Sequence, residues 1–208
     1  MKLQDLNLKQ FLEKTASNEP VPGGGSVSAL NGAVASALGE MLANVTVGKK
    51  NYADVEDLMK QNAARMADVR PHFINDINRD SDAYNLVMDA FKLPKETDEQ
   101  KSLRSEKIQD ATKTAALVPM EVAERAFEML DTLIETTRKG NKNAVTDGCT
   151  GVMICRTAIL GALLNVRINL GSLKDENFKN ELTAKCDRIE KETLAKEQEI
   201  MNWVKQQL

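Results

Sequence analysis

A single histidine, His72, and three cysteines with no C-x-x-C pair stand among the 208 residues. That scarcity of soft and imidazole ligands argues against a zinc site, and no metal is expected. Cys149, Cys155 and Cys186 are odd in number, so a disulfide framework is not indicated either. They read as reduced thiols buried like small apolar residues. Charge of one sign is also missing. With 28 Lys+Arg against 31 Asp+Glu the net charge is -3, without the basic excess that a nucleic-acid partner requires. Internal repeats and low-complexity tracts are absent. The longest apolar run, 26–48, carries Asn31, Glu40 and Asn44, whose cost in lipid points to a buried helix rather than a membrane span. The first twenty residues are amphipathic and charged, without the continuous apolar core of a signal peptide, so a cytoplasmic location is expected.

What is present is helical periodicity. The chain is 42% apolar and 28% charged, as a soluble globular protein is. Residues 3–16 read as a short amphipathic helix, ended by the Pro-Gly punctuation of 20–25. A helix over 26–47 follows, rich in Ala and Gly, whose small side chains permit close approach at the centre of a bundle. A third helix starts at Asp54 and meets Pro71, which interrupts or kinks it. Beyond Pro71 the stripe Phe73, Ile77, Asp80, Tyr84, Val87, Phe91 continues at helical spacing. The polar stretch 92–107 begins as a surface loop, and helix resumes near Leu103, with Pro119 kinking or dividing it. A turn at 140–148 leads to a second small-residue helix, 148–170, and a long charged helix runs over 175–208. The expected fold is one all-α domain spanning 1–208, an antiparallel bundle of long, partly kinked helices. Its small-residue helices and amphipathic last helix favour a homodimer.

Several residues stand out against this background. Gly23, Gly24, Gly25 and Ser26 lead directly into a helix, so free N–H groups and the positive dipole end are presented together. The spacing is not that of a P-loop, and a serine-capped turn is the plain alternative. Asp80 occupies a seam position in an apolar stripe, where a carboxylate needs a partner or a raised pKa. Asp82 lies two residues on, toward another face. Asp147 suits an N-cap or the mouth of a cavity. Asn165 and Asn169 are a turn apart around Arg167, and either line a pocket or emerge into solvent. Lys49, Lys50, Lys139 and Lys142 follow helix ends, which suits the dipole whatever the function.

Taken together, PVPGGGSVSALNGAVASALGEMLANVTVGKKNY, DSDAYNLVMDAFKLPKET, GNKNAVTDG and GALLNVRINL resemble the cyclodeaminase domain of formiminotransferase-cyclodeaminase. They are equally similar to the free-standing bacterial proteins of that family, including methenyltetrahydrofolate cyclohydrolases. The resemblance implies an all-helical dimer acting on a reduced folate, with no cofactor. It implies cyclisation of 5-formimidoyltetrahydrofolate to 5,10-methenyltetrahydrofolate with release of ammonia, or opening of the methenyl bridge by water. A non-catalytic helical assembly module is the reading from another class. With one histidine in the chain, Asp80 or Asp82 together with Asp147 are the candidate catalytic groups. Gly23 to Ser26, Lys50, Asn165 and Arg167 are the candidate substrate contacts.

Overall fold

The computed structural model describes residues 2–208. Among them there are six α-helices and no strand: α1 (Leu8–Thr15), α2 (Gly24–Asn44), α3 (Glu56–Phe91), α4 (Asp98–Lys139), α5 (Val145–Leu170) and α6 (Glu176–Lys205). Short 3-10 turns at Leu3–Asp5, Lys50–Val55 and Lys142–Ala144 join or precede them. α2 sits centrally, packed against α3, α4 and α5. Its small residues allow this. A Cβ on Gly32 would meet the Phe73 ring at 2.6 Å, so that ring lies directly on the α2 backbone.

α2 and α5 run antiparallel. Gly24 faces Asn165, Leu38 faces Gly151 and Leu42 faces Gly148, so residue numbers rise on one helix as they fall on the other. The three thiols are free and buried, as expected, and burial alone pushes Cys155 up to about 12.

Neither proline divides its helix; α3 passes through Pro71 and α4 through Pro119. Proline removes one amide donor and leaves the carbonyl four residues earlier without a partner. Pro71 is exposed, where water can serve that carbonyl. Pro119 is buried, and the carbonyl it orphans is that of Ala115, which accepts instead from Asn169 Nδ2 on α5 at 3.0 Å. α4 also begins earlier than the polar composition of 92–107 suggests. Thr97 and Gln100 form a reciprocal capping box that starts the helix at Asp98. Near the middle of α3, Asp76 is 1% exposed and clamped by Arg79 at 2.7 Å and by Arg125.

Candidate active site at the amino end of α2

Gly23 is the N-cap of α2 and offers no side chain, so the first N–H groups of the helix lack a local acceptor. The acceptor arrives from α3. Asp80 lies so close to Gly25 that a Cβ there would come within 2.5 Å of its Cγ. Ser26 Oγ is 3.0 Å from Asp80 Oδ2, 2.9 Å from the Ile77 carbonyl and 3.2 Å from Ser81 Oγ. Burial pushes the Asp80 carboxyl above its ordinary range, against hydrogen bonds from the Ser26 side chain and backbone that favour the ionised form.

The proton count at Ser26 explains how both forms are accommodated. A hydroxyl has one hydrogen and two lone pairs. With Asp80 ionised, Ser26 turns that hydrogen to the carboxylate. With Asp80 protonated, the carboxyl donates to Ser26 Oγ and Ser26 donates to the Ile77 carbonyl. Ser81 was not singled out by its sequence context; its hydroxyl is the second neighbour of Ser26.

The opposite wall comes from α5. The Asn165 amide lies over Gly24, with its Nδ2 3.2 Å from the position of a Cβ there. Asn165 Nδ2 donates to the Gly161 carbonyl at 2.8 Å, which leaves its carbonyl oxygen free to face a ligand. Asn169 holds the Asn165 backbone carbonyl at 2.8 Å.

This arrangement has relatives. The family model described as formiminotransferase-cyclodeaminase matches residues 7–188. The chain belongs to the formiminotransferase-cyclodeaminase family. It is 36% identical over 198 residues to a methenyltetrahydrofolate cyclohydrolase of Methylorubrum extorquens, covering 95% of each chain. It is 30% identical over 182 residues to the formimidoyltransferase-cyclodeaminase of Gallus gallus, covering 88% of this chain and 34% of that longer one. The crystal structure of formiminotetrahydrofolate cyclodeaminase from Thermotoga maritima superposes with a TM-score of 0.83 at 31% identity, covering 100% of this chain and 98% of the other.

The four blocks that carry the family resemblance do not all meet at one place within one chain. Gly23, Gly24, Gly25, Ser26, Asp80 and Asn165 converge. Asp82 is exposed and lines a groove with Val21, Asn78, Arg79 and Ser81, whose hydroxyl reaches Ser26. Arg167 turns toward α6, where its Nη2 is 2.9 Å from Asp187 and 2.6 Å from Glu190. Asp147 lies in the first turn of α5 behind Ala144, the cap, and so is not itself the cap. It is 18 residues before Asn165, about 27 Å along the helix. Lys50 follows the carboxy end of α2, whose 21 residues span about 30 Å. The Lys50 and Asp147 blocks share the far end of the bundle, where Tyr52 Oη accepts from the Lys142 amide at 2.9 Å.

Proposed function

We propose that this protein is a folate one-carbon enzyme that cyclises 5-formimidoyltetrahydrofolate to 5,10-methenyltetrahydrofolate with release of ammonia. The observation that carries the reading is the Asp80 carboxyl, its pKa raised by burial, at a helix amino end open to a ligand. N10 of the folate adds to the amidinium carbon bound to N5, forming a tetrahedral centre. N10 then loses its proton, and the amino group gains one and departs as ammonia. A carboxyl whose pKa burial has raised can accept the first proton and deliver the second. The free N–H groups of Gly24 and Gly25, with the Asn165 carbonyl, suit the polar edge of the pterin.

We further propose that the working unit is a homodimer. The outward face of α2 repeats Val27, Asn31, Val34, Leu38, Met41 and Val45 at alternating spacings of four and three. That of α5 repeats Met153, Thr157, Leu160, Leu164 and Ile168. Leu164 is 64% and Ile168 75% exposed in the single chain. α5 is apolar on its outer face as well as its inner one, which a helix with only one buried face does not need. Such a face is self-complementary, as a two-fold interface requires. Pairing about a two-fold axis perpendicular to α5 lays the far end of each chain over the amino end of α2 in the other. Asp147 and Lys50 of one copy then complete the site of Asp80 in its partner, with Asp147 orienting the amidinium cation.

The full-length match to a bacterial methenyltetrahydrofolate cyclohydrolase favours a second reaction at the same site, water adding to the methenyl carbon to give 10-formyltetrahydrofolate. Ammonia release from 5-formimidoyltetrahydrofolate, measured beside the loss of methenyl absorbance, separates the two. Absence of both activities and of folate binding leaves the non-catalytic module.

A further inference from the structure

The glycines of α2 meet α3 in a fixed register. Cβ atoms on Gly39, Gly32 and Gly25 would touch Met66, Phe73 and Asp80 in turn, so a step of seven down one helix matches seven up the other. Ser26 reaches Ile77 and Asp80 on the same seam. Tyr84 is its next member, four residues beyond Asp80 and seven beyond Ile77. Opposite Tyr84 the register has run out of helix, because α2 begins at Gly24. The chain ahead of Gly24 turns elsewhere: Val21 lines the groove on the neighbouring face of α3, with Ser81, Asp82 and Asn85.

Tyr84 is accordingly only partly covered, whereas Phe73 and Ile77, its predecessors in the seam, are buried. Long side chains on a helix lean toward its amino end, which in α3 is the direction from Tyr84 back to Asp80. That lean brings the tyrosine ring over the turn that carries Asp80. It also sets the ring beside the line along which the first N–H groups of α2 point. Gly24 at the head of α2 is exposed, and the Asn165 amide stands over it from α5. Backbone donors, a carboxyl, an amide and an aromatic face therefore border one space at the amino end of α2.

We infer that Tyr84 is a substrate contact, its ring packing against the flat face of the pterin of a reduced folate held at the amino end of α2. This rests on the folate reading above and goes beyond it by naming what grips the face of a ring whose polar edge the glycine loop takes. Gly24, Gly25, Asp80 and Asn165 offer hydrogen-bonding groups, which meet atoms at the edge of a planar heterocycle. None of them supplies a flat apolar surface, and offset stacking requires one. Tyr84 supplies it within one helical turn of the carboxyl that handles the proton.

The test is calorimetric titration of the intact protein with tetrahydrofolate and with 6-methyltetrahydropterin, which lacks the aminobenzoylglutamate tail. Tyr84→Ala should weaken the binding of both about tenfold, an ordinary size for a lost aromatic contact. Tyr84→Phe keeps the ring and should bind as wild type does. Tyr84→Leu keeps bulk without a plane and should resemble the alanine variant. Phe91→Ala, seven residues further along α3, should bind as wild type and so controls for a general weakening of the helix. Undiminished affinity for both compounds in Tyr84→Ala overturns the inference. So does a loss confined to tetrahydrofolate, which would put the ring on the aminobenzoyl group, or a wild type that holds tetrahydrofolate but not the pterin. If wild type binds neither compound, the folate reading itself falls, and this inference with it.

Discussion

Gly25 and Asp80 touch backbone to carboxyl: a Cβ on Gly25 would lie 2.5 Å from Asp80 Cγ and 2.7 Å from Oδ2. Glycine at this position is what allows a carboxyl from α3 to lie against the first turn of α2. Gly25→Ala should therefore displace Asp80 and cut turnover at least a hundredfold, a range ordinary for a misplaced proton-transfer group. Gly32→Ala is the control. It collides with the Phe73 ring in the core and should cost about 1–3 kcal/mol of stability, the usual overpacking penalty, while the residual folded protein keeps its kcat. Thermal melts and steady-state rates on both variants separate the two effects.

The raised pKa of Asp80 has two consequences of known sign. Turnover that starts with the ionised carboxylate accepting the N10 proton should fall as pH drops through that raised value, above the ordinary carboxylate range. Stability runs the other way. The folded chain holds the Asp80 proton where the unfolded chain has lost it, so stability declines from the ordinary aspartate pKa up to the raised one and is level above it. Asp80→Asn should abolish both dependences, and at neutral pH it should melt no lower than wild type while losing about 100- to 10,000-fold in kcat. A variant that melts far lower would make Asp80 a structural cap of α2 rather than a proton carrier.

A site shared between copies predicts rescue by mixing. Asp80→Asn and Asp147→Asn should each be nearly inactive alone. Unfolded together and refolded, they should recover about a quarter of wild-type activity, because half of the random dimers contain one intact site of two. No recovery, with mixed dimers demonstrated by mass spectrometry, would falsify the shared site.

The interface can be broken away from the site. Val34 and Met153 lie on the exposed stripes of α2 and α5, and each is partly open in the single chain. Val34→Glu/Met153→Glu should give a folded helical monomer in analytical ultracentrifugation, with activity lost. A variant that remains dimeric and active would place the interface elsewhere.

Asp76 offers a stability test without catalytic meaning. Its carboxylate is buried between Arg79 and Arg125. Arg125→Ala leaves a buried charge half paired and should cost about 3–5 kcal/mol in urea unfolding.

Helical periodicity made the bundle legible, because apolar residues recurred with a period near 3.6 in almost every segment. Asp80 was legible for the same reason, as a charge in an apolar stripe. Whether a proline divides its helix was not legible, because that depends on where the orphaned carbonyl finds a partner, and Asn169 lies 54 residues from Ala115. Asp147 and Lys50 could be tied to the glycine loop by family resemblance but not placed beside it, since no spacing within one chain reveals a 30 Å separation. Arg167 looked like a ligand contact because its α6 partners, Asp187 and Glu190, lie 20 and 23 residues on.

Asn169 also does more than repair α4. One amide nitrogen bonds the carbonyl that Pro119 leaves open and the backbone carbonyl of Asn165, which stands over Gly24. The defect in one helix is thereby converted into a strut that sets the height of the neighbouring helix above the glycine loop. Alanine in place of Pro119 would restore the α4 backbone ladder and compete with Asn169 for its anchor, so a substitution that improves the helix would loosen the wall of the pocket.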